Sequence, residues 1–176
     1  MKKKCKFEEY DVNEVIPNLW LGNCKAAYNH NFLKTFNIKY VVTIMDDFNH
    51  NNKLDGISYY IIPLKNKNTC DKDLIPLFDK VTTLIHNLLN SGIKVLVNCK
   101  RGHHRSASVV AAYLIRYIGI KYETSIKYIN LLRPCALRKD TCMTKSLFDY
   151  YLYLTQTKNC NIKCFNEKNI FYCKCQ

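Results

Sequence analysis

The residues most suited to chemistry are Cys99 and Arg105, which are joined by a short loop. The apolar run 94–97 before this loop predicts a buried strand, and the Ala/Val-rich segment 105–118 predicts a helix. A loop that leaves a strand and opens a helix turns its free backbone N–H groups toward one point, where the helix dipole adds positive potential. The spacing therefore predicts a cradle for a phosphate-sized anion, and Gly102 allows the tight curl.

Cys99 and Arg105 have complementary roles in such a cradle. The guanidinium of Arg105 can hold two phosphate oxygens at once. The positive field lowers the pKa of a nearby thiol from about 8.5 to roughly 3.5–7.5, so Cys99 is a candidate nucleophile that would form a phosphocysteine. Ser106 can donate a hydrogen bond to the sulfur when the sulfur leaves. A single cysteine is more often a buried apolar residue, but the spacing to Arg105 and Ser106 favours catalysis.

The rest of the loop is rich in cationic and titratable side chains. Histidines in the loop would add positive charge when protonated. The alternative is that these side chains point to solvent and only their backbone amides face the anion. We predict that the phosphate-binding residues are Lys100, Arg101, Gly102, His103, His104 and Arg105.

Strand-like and helix-like segments alternate along the chain, which indicates an α/β domain with a central, mostly parallel twisted sheet flanked by helices. The clearest helix is 74–90, where apolar residues recur every three or four positions and Asp73 is the expected N-cap. We expect the domain to cover 10–155, between a basic extension (1–9) and a Cys/Lys-rich tail (156–176). The other expected strands are 14–16, 19–21, 40–45 and 57–63, and the other expected helices are 122–132 and 143–154.

The chain has 176 residues, 48% of them hydrophobic, and a net charge of +13, which is typical of one globular domain with anionic partners. Neither a membrane-spanning run nor a secretory signal is recognisable, so we expect a cytoplasmic or nuclear protein with ten reduced cysteines. A zinc site and disulfides are alternatives in the tail, but free thiols are the expected state. The tail cysteines are Cys160, Cys164, Cys173 and Cys175.

The loop motif Cys-x5-Arg-Ser resembles the signature of the cysteine-dependent protein tyrosine phosphatases. Segments 16–27 (IPNLWLGNCKAA), 59–64 (YYIIPL), 106–114 (SASVVAAYL) and 132–134 (LRP) are similar to the small dual-specificity branch, including members encoded by large DNA viruses. The resemblance implies a protein-tyrosine-phosphatase-like fold, hydrolysis of phosphate monoesters on phosphorylated proteins, and neither a metal nor another cofactor. A viral origin would place the protein in the host cell or the virion.

Two positions differ from the pattern that this resemblance implies. Asn98 stands where the family has a His before the nucleophile, and Asn66 stands where it has the general-acid Asp. A carboxamide cannot donate a proton as an acid does. Asp71, further along the same loop, is a candidate replacement, although a helix-capping or solvated carboxylate is an equally good interpretation.

Three functions therefore remain open at the level of sequence. The first is a dual-specificity protein phosphatase, and the second is a weakened pseudophosphatase that holds phosphorylated partners. The third is a phosphatase acting on RNA 5′ ends or phosphoinositides, which the basic residues Lys100 and Arg101 would suit. We favour the first because Cys99, Arg105 and Ser106 are all present. The oligomeric state is open, and a homodimer is compatible with the sequence.

Overall fold

The computed structural model describes residues 11–65, 72–138 and 141–157, and it confirms the expected α/β class. Five strands form one sheet in the order β1-β2-β5-β3-β4. The β1–β2 pair is antiparallel, and the other three pairs are parallel. The strands are β1 (Val12–Ile16), β2 (Leu19–Asn23), β3 (Ile38–Ile44), β4 (Ser58–Ile62) and β5 (Lys94–Cys99).

Helices cover both faces of the sheet. On one face, Trp20 and Leu96 from the strands form a small core with Phe32 and Leu33. The larger core lies on the other face, where all nine residues of the fourth helix are buried. The helices are α1 (Cys24–Ala27), α2 (His30–Thr35), α3 (Ile75–Asn90), α4 (Arg105–Tyr113), α5 (Tyr122–Leu132) and α6 (Cys142–Thr157), with a 3-10 turn at His50–Asn52.

Two helix ends differ in detail from the expectation. The helix predicted over 105–118 is α-helical to Tyr113 and continues as a π-helix, Leu114–Ile118. An apolar run does not reveal which hydrogen-bond spacing the backbone adopts, so the sequence could not predict this change. At the start of α3 the N-cap is Leu74 and not the expected Asp73, although the Asp73 carboxylate accepts a hydrogen bond from the amide of Ile75 at 2.9 Å.

Strand β5 occupies the centre of the sheet, between β2 and β3. Because these three strands are parallel, their carboxyl ends meet at one edge of the sheet. Ligand sites of open α/β sheets lie in the crevice outside that edge. Cys99 is the last residue of β5, and Asn23 is its register partner at the end of β2. The fold therefore places Cys99 where a ligand site is expected.

Candidate active site

The loop after β5 joins a buried strand to a buried helix without any intervening element. Cys99 ends the strand with only 2% of its surface exposed, and Arg105 begins α4 with 5% exposed. A hydrophobic strand and helix on either side fix both ends of the loop in space. The cradle expected between these two residues therefore has rigid ends.

Cys99 receives a hydrogen bond inside this cradle. The hydroxyl of Ser106, in the first turn of α4, donates to Cys99 Sγ at 3.2 Å. Burial by itself raises the pKa of the Cys99 thiol, but hydrogen bonds from Ser106 and from the Gly102 amide, with the charge of Arg105, bring that pKa below its ordinary value. The thiolate form is thus stabilised by the loop and the start of α4.

Arg105 is oriented by the carboxyl ends of the two strands beyond β5. Its Nη1 donates to the backbone carbonyl of Leu64 at 2.5 Å, just after β4. The same Nη1 lies 3.5 Å from Oδ1 of Asp46, just after β3. The sheet therefore brings a guanidinium and a thiol, both nearly buried, to the same edge.

Gly102 allows the loop to pass close to the end of β2. Its φ is +68°, a left-handed conformation that glycine adopts without strain. A Cβ at this position would lie 2.6 Å from the carbonyl oxygen of Gly22. The sequence predicted a tight curl here, and the structure adds this backbone approach as a second reason for glycine.

A buried arginine stabilises the loop through a hydrogen bond to its backbone. Arg133, which follows α5, donates from Nε to the carbonyl oxygen of Gly102 at 3.2 Å. It also pairs with Asp11 at 2.5 Å and donates to Asn13 at 2.8 Å, both near the start of β1. Nearby, the amide of Leu137 donates to the carbonyl of His103 at 2.8 Å. The segment after α5 thus holds the loop in shape.

The remaining loop side chains contribute less charge than expected. Lys100 is exposed and pairs with Asp47 at 2.5 Å. Burial, with Arg133 and other nearby cations, lowers the pKa of His103 to about 4, and burial beside Arg138 and Arg101 lowers the pKa of His104. Both histidines are therefore neutral at pH 7, so the positive charge expected from their protonation is not present there.

Asn98 connects β5 to β3 beneath the loop. It is fully buried, and its Oδ1 accepts a hydrogen bond from Thr43 Oγ1 at 2.8 Å. Its Nδ2 has no hydrogen-bond partner among the described residues. The carboxamide thus helps to fix the strand that carries Cys99, although it offers no charge to stabilise a thiolate.

Several predicted features lie outside the described residues. Asn66 and Asp71 both fall in the segment 66–71, and the tail cysteines and both chain ends are outside as well.

Among the described cysteines, Cys24 and Cys99 are free thiols. Cys135 and Cys142 are disulfide-bonded, so the expectation of reduced thiols is wrong for these two. A cysteine's partner depends on long-range folding, which the sequence pattern does not reveal.

Asp46 and the carbonyl of Leu64 are the site groups that sequence reasoning missed. Asp46 directly follows the predicted strand 40–45, and a polar residue after a buried parallel strand is a usable signal for a site. The contact of Leu64 comes from its backbone, for which no side-chain type gives a signal.

Two kinds of feature are absent from residues 11–65, 72–138 and 141–157. No group of three or more His, Cys, Asp or Glu side chains in these ranges is arranged to bind a metal ion. None of the helices there has the length and apolar character needed to cross a membrane.

The sequence matches the family described as "Dual specificity phosphatase, catalytic domain" over residues 19–152. It is 30% identical to Dual specificity protein phosphatase 1 of Arabidopsis thaliana over 118 residues, which cover 67% of this chain and 58% of that protein. It is also 30% identical to Dual specificity protein phosphatase 22-B of Danio rerio over 125 residues, 71% of this chain and 66% of that protein. The chain thus spans less than two thirds of each of these relatives.

Solved structures share the architecture. Human DUSP28 is similar with a TM-score of 0.74 and 23% identity, covering 82% of this chain and 95% of that one. A mouse dual specificity phosphatase crystallised with zinc tungstate also has a TM-score of 0.74, with 22% identity over 89% of this chain and 94% of that one. At these identities the likeness establishes the fold, which is the fold expected from the sequence.

Proposed function

The chain belongs to the dual-specificity phosphatase family of the cysteine-dependent protein tyrosine phosphatase superfamily, and we propose that it hydrolyses phosphate monoesters on proteins through Cys99. The family match confirms the resemblance drawn from Cys-x5-Arg-Ser and supports the protein phosphatase function expected from it. The observation that carries the proposal is the buried Cys99 thiol, which accepts a hydrogen bond from Ser106 and has a lowered pKa.

In the first step, the phosphate group lies in the loop, where the backbone amides from Lys100 to Arg105 and the Arg105 guanidinium hold its oxygens. The thiolate of Cys99 attacks phosphorus, and a P–S bond forms. The P–O bond to the substrate breaks, and its electron pair leaves with the substrate oxygen. That oxygen takes a proton from a donor in the protein or from water.

In the second step, water attacks the phosphocysteine and gives up a proton. The P–S bond breaks, inorganic phosphate forms, and the electron pair returns to Cys99 as a thiolate. The hydroxyl of Ser106, already 3.2 Å from Sγ, stabilises the negative charge that develops on the departing sulfur. The same hydrogen bond thus assists both the formation of the nucleophile and its release.

The proton donor of the first step is the part of the mechanism in which this chain differs most from its family. Asn66 stands at the position of the family's acid and cannot donate a proton as an acid does. We infer that Asp71, five residues further along the chain, is the donor. The expected phosphate-binding role of the side chains of Lys100, Arg101, His103 and His104 is likewise a proposal.

The low free charge of the loop side chains favours phosphoproteins over more highly charged substrates. The Lys100 charge is paired with Asp47, and His103 and His104 are neutral at pH 7. A substrate panel tests the choice: a phosphotyrosine peptide, a phosphothreonine peptide, a phosphoinositide in micelles and an RNA with a 5′-triphosphate. The highest kcat/KM for a phosphopeptide supports the proposal, and a higher value for the lipid or the RNA contradicts it.

A phosphate-binding pseudophosphatase is the second candidate, and Asn98 and Asn66 favour it. The hydrogen bond between Ser106 and Cys99 argues against it, because a protein that only binds phosphate does not need an activated thiol. Turnover of a simple aryl phosphate that disappears in Cys99→Ser would exclude this candidate. Binding of a phosphopeptide without turnover would establish it.

Other expectations stay predictions. They are a viral origin, a cytoplasmic or nuclear location, a homodimer, and the boundaries of the domain at 10–155 with its basic extension (1–9) and tail (156–176).

A further inference from the structure

Asp46 contacts Arg105 but has no role in the two steps above. Its Oδ1 lies 3.5 Å from Arg105 Nη1, and 34% of its side chain is exposed, compared with 7% for Arg105. Among the described residues, Asp46 is the acidic side chain that pairs with Arg105. Leu64 is the second partner, because its carbonyl accepts a hydrogen bond from the same Nη1 at 2.5 Å.

These two contacts occupy one end of the guanidinium. Arginine has five N–H donors in a rigid plane, two of them on Nη1. The Leu64 carbonyl and the Asp46 carboxylate both lie at Nη1, whereas no described residue accepts a hydrogen bond from Nε or Nη2. Nε and Nη2 present two parallel N–H groups, which is the geometry that holds two oxygens of a phosphate. The contacts of Nη1 therefore leave the phosphate-binding edge available.

We propose that Asp46 is a positioning residue, which with the Leu64 carbonyl fixes the Nη1 end of Arg105 so that the Nε–Nη2 edge faces the loop before a phosphate arrives. The inference rests on the proposed function for the identity of the ligand, a phosphate monoester. Asp47, the next residue, pairs with Lys100 at 2.5 Å, so the two adjacent carboxylates at the end of β3 have different partners.

Charge and positioning predict opposite effects when Asp46 is neutralised. A carboxylate close to an anion site repels the anion, so its removal would tighten oxyanion binding if Coulomb repulsion were its only effect. If Asp46 positions Arg105, its removal weakens binding, because the guanidinium edge loses its fixed orientation and small misplacements have large effects. The direction of the change in oxyanion affinity therefore distinguishes positioning of Arg105 from simple charge repulsion.

The test compares Asp46→Asn with Asp47→Asn, which remove the same charge at adjacent positions. Both are made in a Lys100→Ala background, so that the loss of Asp47 does not release an ammonium group beside the loop. Tungstate, a tetrahedral oxyanion, is titrated into each protein by calorimetry. We expect tungstate to bind about tenfold more weakly to the Asp46→Asn protein than to the Asp47→Asn protein. Equal affinities, or tighter binding by the Asp46→Asn protein, would overturn the proposal.

Asp46→Glu provides a second variant, because it keeps the carboxylate on a longer side chain. It should bind tungstate more tightly than Asp46→Asn in the same background, whereas a purely structural role of Asp46 would give no such recovery. Thermal unfolding without tungstate checks that all variants are folded. Tungstate binding needs no turnover, so affinity that depends on Asp46 in a protein without phosphatase activity contradicts the proposed function alone. Turnover combined with affinity that does not depend on Asp46 contradicts this inference alone.

Discussion

The hydroxyl of Ser106 lies 3.2 Å from the sulfur of Cys99 and joins the first turn of α4 to the last residue of β5. A hydroxyl donor at this distance stabilises the charged form of a thiol. It offsets the burial of Cys99, which acts in the opposite direction on the thiol pKa. The reactivity of Cys99 should therefore depend on its neighbour in the helix.

We expect Ser106→Ala to raise the pKa of Cys99. The wild-type rate of iodoacetamide alkylation at Cys99, followed by peptide mass spectrometry against pH, should have a midpoint below about 8.5. In Ser106→Ala the midpoint should rise, because the donor is lost while the burial remains. Ser108→Ala is the control, since Ser108 is buried in the same helix and faces Met143 instead. A wild-type midpoint at or above 8.5 would contradict the assignment of Cys99 as the nucleophile.

Replacing Arg105 by lysine should lower kcat/KM for an aryl phosphate by about 100-fold or more, although the charge is kept. An ammonium group cannot span two phosphate oxygens as a guanidinium does. Arg116→Lys is a matched control, because Arg116 pairs with Asp79 at 2.9 Å and has no part in the proposed mechanism. Near-wild-type turnover of Arg105→Lys would show that bidentate binding is wrong.

Gly102→Ala should abolish most of the activity. The new Cβ would lie 2.6 Å from the carbonyl oxygen of Gly22, so the loop would have to move. Gly92→Ala separates this effect from backbone strain, because Gly92 has a φ of +74° and a Cβ there would meet no atom within 4 Å. It should cost about 1–2 kcal/mol of stability, measured by urea unfolding, and leave kcat/KM near that of the wild type. Equal losses of activity in the two variants would refute the argument from close approach.

The position of Asn66 predicts a strong dependence on the leaving group. Without an acid, the substrate oxygen leaves with its full charge, which a tyrosine phenolate with a pKa near 10 tolerates better than a serine or threonine alkoxide. We expect phosphotyrosine to be hydrolysed much faster than phosphothreonine, and the rate over a series of aryl phosphates to fall steeply as leaving-group pKa rises.

A shallow slope would instead show that a carboxylate donates a proton. Asp71→Asn should then restore the steep dependence, while Asp73→Asn, which removes a nearby carboxylate but keeps an acceptor for the amide of Ile75, should not. A shallow slope in both variants would contradict the assignment of Asp71.

The central sheet and the pair of Cys99 and Arg105 could be predicted because they depend on local patterns. Strand 94–97, the loop and the helix after it are consecutive in sequence, so their geometry follows from short-range spacing. The contacts of Asp46 and Leu64 with Arg105 could not be predicted in the same way, since they depend on which strands lie beside β5. The neutral state of His103 depends on burial near Arg133, which only the folded chain reveals.

The most direct test of the account is to trap the covalent intermediate. The protein is mixed with an aryl phosphate, quenched with acid after a short interval and digested. The mass of the peptide that contains Cys99 is then measured by mass spectrometry. If Cys99 is the nucleophile, this peptide gains the mass of one phosphoryl group, the gain is absent in Cys99→Ser, and the phosphoryl group is lost more slowly in Ser106→Ala, where release of the sulfur is slower. Turnover without any phosphoryl group on Cys99, or turnover that persists in Cys99→Ser, would contradict this assignment.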